Sequence, residues 1–175
     1  MSQRLSLNAR QANQTANSAE IEVVLFEITH PDLEAPIRLS TDNTERLSDD
    51  PLIYGTRSAW RGADPDTDPY LWIIASAVLP DDAEDAPAAA QLVLENLDSR
   101  MVEVLRSYTG QATVAMAVVL AATPDLIEAE WHGLRLTNAE GTASEISLSL
   151  SREEIELEPF PSGRMTHQKF PGLWR

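Results

Sequence analysis

A chain of 175 residues with a formal net charge of -15, from 28 Asp and Glu against 13 Lys and Arg, repels phosphate backbones and anionic membrane surfaces, so nucleic acid is disfavoured as a partner. The absence of Cys excludes disulfides, iron–sulfur clusters and thiolate zinc sites. A hydrophobic fraction of 43% at this length allows one domain with a real core and argues against wholesale disorder.

The amino terminus, MSQRLSLNARQANQTANSA, has no apolar core of signal-peptide length, and no run of eighteen apolar residues occurs anywhere. The expected product is soluble in the cytoplasm, without a membrane span. Residues 1–19 read equally as a short helix or a flexible polar arm. Residues 20–29 (EIEVVLFEIT) then form a strand, with Val23 and Leu25 facing one way and Val24, Phe26 and Ile28 the other, so both faces are expected to be covered. His30-Pro31-Asp32 turns the chain, Pro36 keeps the residue before it extended, and residues 37–40 complete a hairpin. Residues 41–69 are rich in Asp, Thr, Ser, Pro, Arg and Gly; they read as a long loop that holds a strand fragment at Leu52-Ile53-Tyr54 and an indole at Trp60. Residues 70–78 (YLWIIASAV) are again β-rich.

The segment 80–121 carries the clearest succession of elements. An acidic turn with Asp81, Asp82, Glu84 and Asp85 ends at Pro87, and residues 88–97 alternate as a strand through Ala90, Leu92 and Leu94. Asp98 or Ser99 can then cap a short helix over about 99–109, whose apolar positions Met101, Val102, Leu105 and Tyr108 recur at three and four before Gly110 closes it. Residues 113–121, nearly unbroken in Val, Met, Ala and Leu, read as a buried strand. Beyond Pro124, residues 126–137 alternate loosely, 138–141 suggest a turn, and 144–151 place Ile146, Leu148 and Leu150 inward against three outward serines. Pro and Gly in residues 155–175 forbid long regular elements. These elements add up to a mainly β protein: a single β-barrel or sandwich-like domain of about eight strands with one short helix and an irregular carboxy-terminal segment. The expected divisions are an arm at 1–19, a β-rich domain at 20–158 with the 41–69 loop, and a packing segment at 159–175.

Candidate chemistry is sparse. Asp64-Pro65-Asp66-Thr67-Asp68-Pro69 opens like a calcium loop, but Pro69 stands where Gly makes the sharp turn and Ala75 where a bidentate Glu belongs, so it reads as a solvated loop. The acidic cluster at 81–85 reads as a charged turn. His30, His132 and His167 share no metal-ligand spacing, and neither a Gly-x-Ser-x-Gly elbow nor a Gly-rich phosphate loop is present. The expectation is therefore no catalytic residue, no metal site and no cofactor. Trp60 and Trp174 stand in polar or Pro- and Gly-rich surroundings, where an indole either anchors a partner surface or packs onto its own domain.

The order of these segments resembles a bacteriophage tail-tip family of unknown function. The resemblance rests on Val23-Val24-Leu25-Phe26-Glu27-Ile28-Thr29-His30-Pro31-Asp32-Leu33, then Pro36-Ile37-Arg38, the Leu-Pro-Asp-Asp turn at 79–82, Asn96-Leu97-Asp98, Leu105-Arg106 and Leu120-Ala121-Ala122-Thr123-Pro124-Asp125. It continues into Pro159-Phe160-Pro161 and Phe170-Pro171-Gly172-Leu173, which covers nearly the whole chain. More remotely the pattern is similar to the hub domain of minor tail protein L of lambda-like phages. The resemblance implies a structural protein of a long non-contractile tail tip, with no reaction to catalyse. Such a hub forms a ring of three between the tail tube and the central fibre or receptor-binding protein, and its partners would be further copies of itself, the distal tail protein, the host-specificity protein and the tape measure protein. Its place would be the virion tail tip, and the host cytoplasm during assembly. The candidate partner interface comprises Trp60, Phe160, Phe170, Leu173 and Trp174. The alternatives are a cytoplasmic assembly factor that leaves before maturation, or a small metal-dependent hydrolase built on the Asp-rich turns and His132.

Overall fold

A computed structural model of the protein describes residues 5–15, 18–78, 89–95, 111–141 and 145–151, together with Lys169 and Gly172. The chain is mainly β, as its alternating patterns predict. Helix α1 (Leu7–Gln14) precedes β1 (Glu22–Thr29), β2 (Ile37–Ser40), β3 (Glu45–Asp49), β4 (Leu52–Thr56), β5 (Tyr70–Trp72), β6 (Ile74–Val78), β7 (Ala89–Glu95), β8 (Thr113–Leu120), β9 (Thr123–Gly141) and β10 (Glu145–Ser151). The strands lie in one sheet in the order β3-β4-β5-β2-β1-β8-β9-β10-β7-β6. The described residues hold ten strands where about eight were expected, for two reasons. Residues 41–69 contain a hairpin, β3–β4, where a strand fragment was expected, and residues 70–78 divide at Ile73 into two strands with different neighbours.

That division shows how the sheet closes. β5 is third from one edge and β6 is the opposite edge, yet only Ile73 lies between them in sequence. The sheet must therefore curl until its far edge meets β5, and it forms a half-barrel. Ile73 is buried at the junction, and its N–H donates to the Ser40 carbonyl at 2.9 Å. The strands of the 80–121 segment, β7 and β8, are not neighbours; β9 and β10 lie between them.

Inside the curl, Phe26, Ile28, Met116, Leu134, Leu92 and Leu148 belong to one apolar cluster drawn from β1 and β7 to β10. Outside it, the opposite faces of β1 and β8 offer Val23, Leu25, Ala115, Ala117 and Val119, which are covered by Trp60, Ala63 and Tyr70. Both faces of β1 are thus covered, as its sequence implies, and burying each large side chain stabilises the fold by about 1.5–3 kcal/mol. In β10, Ile146, Leu148 and Leu150 point inward and alternate with half-buried Ser147 and Ser149. The expected turn at 138–141 is instead the end of the 19-residue strand β9, where these residues pair with β10. Register shifts at three points against β8 bend that long strand, and Gly133 supplies a left-handed residue at φ 67°. The expected helix over 99–109 and the acidic turn at 81–85 lie outside the described residues, as does the carboxy-terminal segment apart from Lys169 and Gly172.

Candidate functional site

The most unusual chemistry lies on the outer face of β1. Glu27 sits in the middle of an apolar strand and is only 4% exposed. A lone carboxylate there would be costly, but the hairpin register places Arg38 of β2 directly opposite. The Arg38 Nη2 and Nε atoms lie 3.1 and 3.2 Å from Glu27 Oε2. The other carboxylate oxygen accepts from Arg61 Nε, and Arg38 reaches on to pair with Asp68. Two guanidinium groups on one buried carboxylate supply the charge and hydrogen bonds that burial demands.

Segment 57–69 crosses this face as a strap. Arg61 adopts a left-handed conformation, φ 55° and ψ 30°, within the short 3-10 turn Trp60–Gly62. Such a conformation is strained in a residue with a side chain, and here it accompanies the contact with Glu27. Ser58 Oγ donates to the Pro124 carbonyl at 2.9 Å, the Ala59 N–H donates to Asp125 Oδ1 at 2.7 Å, and Arg57 pairs with Glu45. Tyr70 is fully buried and its hydroxyl donates to the Trp60 carbonyl at 2.8 Å. Burial, and then the negative charge of Glu27, push the Tyr70 phenol up to about 12, while Arg38 and Arg61 pull the other way. At the rim, His132 Nε2 lies 3.2 Å from Glu130 Oε2 and its Nδ1 lies 3.4 Å from Arg61 Nη1. The Trp60 indole N–H donates to the same Glu130 oxygen at 3.5 Å.

The structure separates the two readings of Trp60. Its indole is 6% exposed and packs in the outer core beside Tyr70, with ring centroids 5.9 Å apart. It therefore packs onto its own domain and does not present a free face to a partner. Phe160, Phe170, Leu173 and Trp174 lie outside the described residues. The Asp-rich loop is held by its own turn: the Asp66 amide, then the Thr67 hydroxyl and amide, hold the exposed Asp64 carboxyl below its usual range, and Asp68 is taken by Arg38. Among the described residues no three His, Cys, Asp or Glu converge as a metal-ligand group. No described helix is long and apolar enough to cross a membrane.

A second feature is an apolar strip on the outer face of β4 to β6. Trp72 and Ile74 flank the buried Ile73, so alternation turns both away from the inner core; they are 38% and 43% exposed. Gly55 pairs with Leu71 and Thr56 with Tyr70, which sets Tyr54 next in line opposite Trp72 on this face. Leu52, two residues further along β4 and 58% exposed, extends the strip. Sequence reading missed the Glu27–Arg38 pair and this strip. A charged residue amid VVLFEIT, matched by Arg38 across a short turn, was the available signal for the first; the second needed the β4–β5 register. Compared with protein-family models and with curated proteins, the chain matches none of either.

Proposed function

We propose that the chain is a structural subunit of the tip of a long non-contractile phage tail, a hub-type protein that forms a ring of three between the tail tube and the central fibre or receptor-binding protein. The observation that carries this reading is the strip of Leu52, Tyr54, Trp72 and Ile74. Exposed Leu52, Trp72 and Ile74 beside half-buried Tyr54 on one sheet face are the usual mark of a surface that another protein covers. A mainly β frame and the ordered series of tail-like segments along the chain support the same reading.

The test is the mass of the purified protein by sedimentation, alone and co-expressed with the adjoining tail proteins. A trimer, or a monomer that becomes trimeric with those partners, is the expected result. Trp72→Asp combined with Ile74→Asp is expected to abolish the larger species while leaving the thermal midpoint close to that of the parent, because neither side chain belongs to a core cluster. A monomer indifferent to every tail protein overturns the proposal.

A further inference from the structure

We propose that residues 5–15 are a detachable arm, latched to the barrel by the Glu128 carboxylate and able to leave it while the barrel stays folded. The inference is independent of the tail-tip reading. Along residues 5–15 and 18–22 only Ala9 is buried, and Leu7, the largest apolar side chain of α1, is 80% exposed. Helix α1 has eight residues, a length that is marginal in water without tertiary support. A cleft of about 260 Å³, lined by Asn8, Gln11, Ala12, Thr15, Ser18 and Glu20 among others, separates the helix from the returning chain. Packing therefore holds α1 weakly.

What ties it down is polar. The Ser6 N–H, at the start of the helix, donates to Glu128 Oε2 at 2.6 Å, while the Ser6 hydroxyl caps the helix by accepting from the Ala9 N–H at 3.1 Å. Glu128 on β9 is 3% exposed, and its second oxygen has no hydrogen-bond partner among the described residues. A buried carboxylate with one oxygen unsatisfied is under-solvated, so departure of the arm lets both oxygens meet water and offsets part of the lost bond. The exposed residues 18–20, ahead of the Ile21 carbonyl that accepts from the Ala121 N–H, serve as the hinge.

Hydrogen exchange on the intact chain tests this. Amides of residues 10–14 are expected to exchange at least ~100-fold faster than those of β1 and β8, through an opening that spares the barrel. Ser6→Pro removes the N–H that reaches Glu128 at a position whose φ of -62° already suits proline, whereas Ser6→Ala removes only the cap. Relative to Ser6→Ala, Ser6→Pro is expected to raise arm exchange by about tenfold with β1 and β8 unchanged. Glu128→Gln should act on the arm in the same direction. Arm amides as protected as the barrel, equal rises in arm and barrel, or no difference between the two Ser6 variants would each overturn the proposal.

Discussion

Tyr70 reports the state of the outer core through one proton. Folding raises the pKa of this phenol from about 10 to about 12, so its contribution to stability is complete below pH 10 and drains away as the pH rises towards 12. Absorbance titration of the three tyrosines should therefore show one that ionises late, and alkaline unfolding should begin while it still keeps its proton. Tyr70→Phe should cost on the order of 1 kcal/mol at neutral pH, from the lost bond to the Trp60 carbonyl, and should abolish the late ionisation. Glu27 is the more demanding residue. Glu27→Gln leaves Arg38 and Arg61 facing each other without their shared counter-ion, and a loss of about 3–5 kcal/mol in urea unfolding is expected. Residue-level chemistry of this sort was half visible in the sequence: Glu27 stands out inside its strand, but its second partner, Arg61, lies across the strap and depends on a left-handed backbone that no local pattern announces.

At the level of elements, the β3–β4 hairpin and the strap behind it were the least legible part of the chain. Their letters are those of loops, since β3 reads Glu-Arg-Leu-Ser-Asp and has only one apolar residue. What makes them ordered is tertiary: Arg57 reaches Glu45 across the hairpin, and the Ser40 and Thr56 hydroxyls meet at 2.7 Å in a buried bond. Gly55 marks the closest approach, for a side chain there would run into the Tyr70 carbonyl and the tip of Leu47. Gly55→Ala is expected to destabilise by about 1–3 kcal/mol, with hydrogen exchange showing the loss concentrated in β3 to β5. By contrast β1, β8 and β10 could be read directly, because burial on one or both faces writes itself into alternation or into an unbroken apolar run. The turn expected at 138–141 failed because the letters there belong to a strand whose residues 138–140 are exposed and which is held by backbone pairing to β10.

For the whole molecule, class was legible and closure was not. Alternating segments identify a mainly β chain, but no periodicity says that residues 70–78 change partners at Ile73, since both halves have the same β-rich composition. The order of the sheet has a consequence in time. Strand β1 has covered faces on both sides, yet its neighbour β8 lies far down the chain: Thr29 pairs with Thr113, 84 residues later. At about 5–20 residues per second of synthesis, β1 leaves the ribosome with two apolar faces and waits for roughly 4–17 seconds until β8 follows. The early hairpin of β1 and β2 is thus a nascent-chain liability, and a ribosome stalled before residue 113 holds a sticky intermediate that chaperones, not its own fold, must shield.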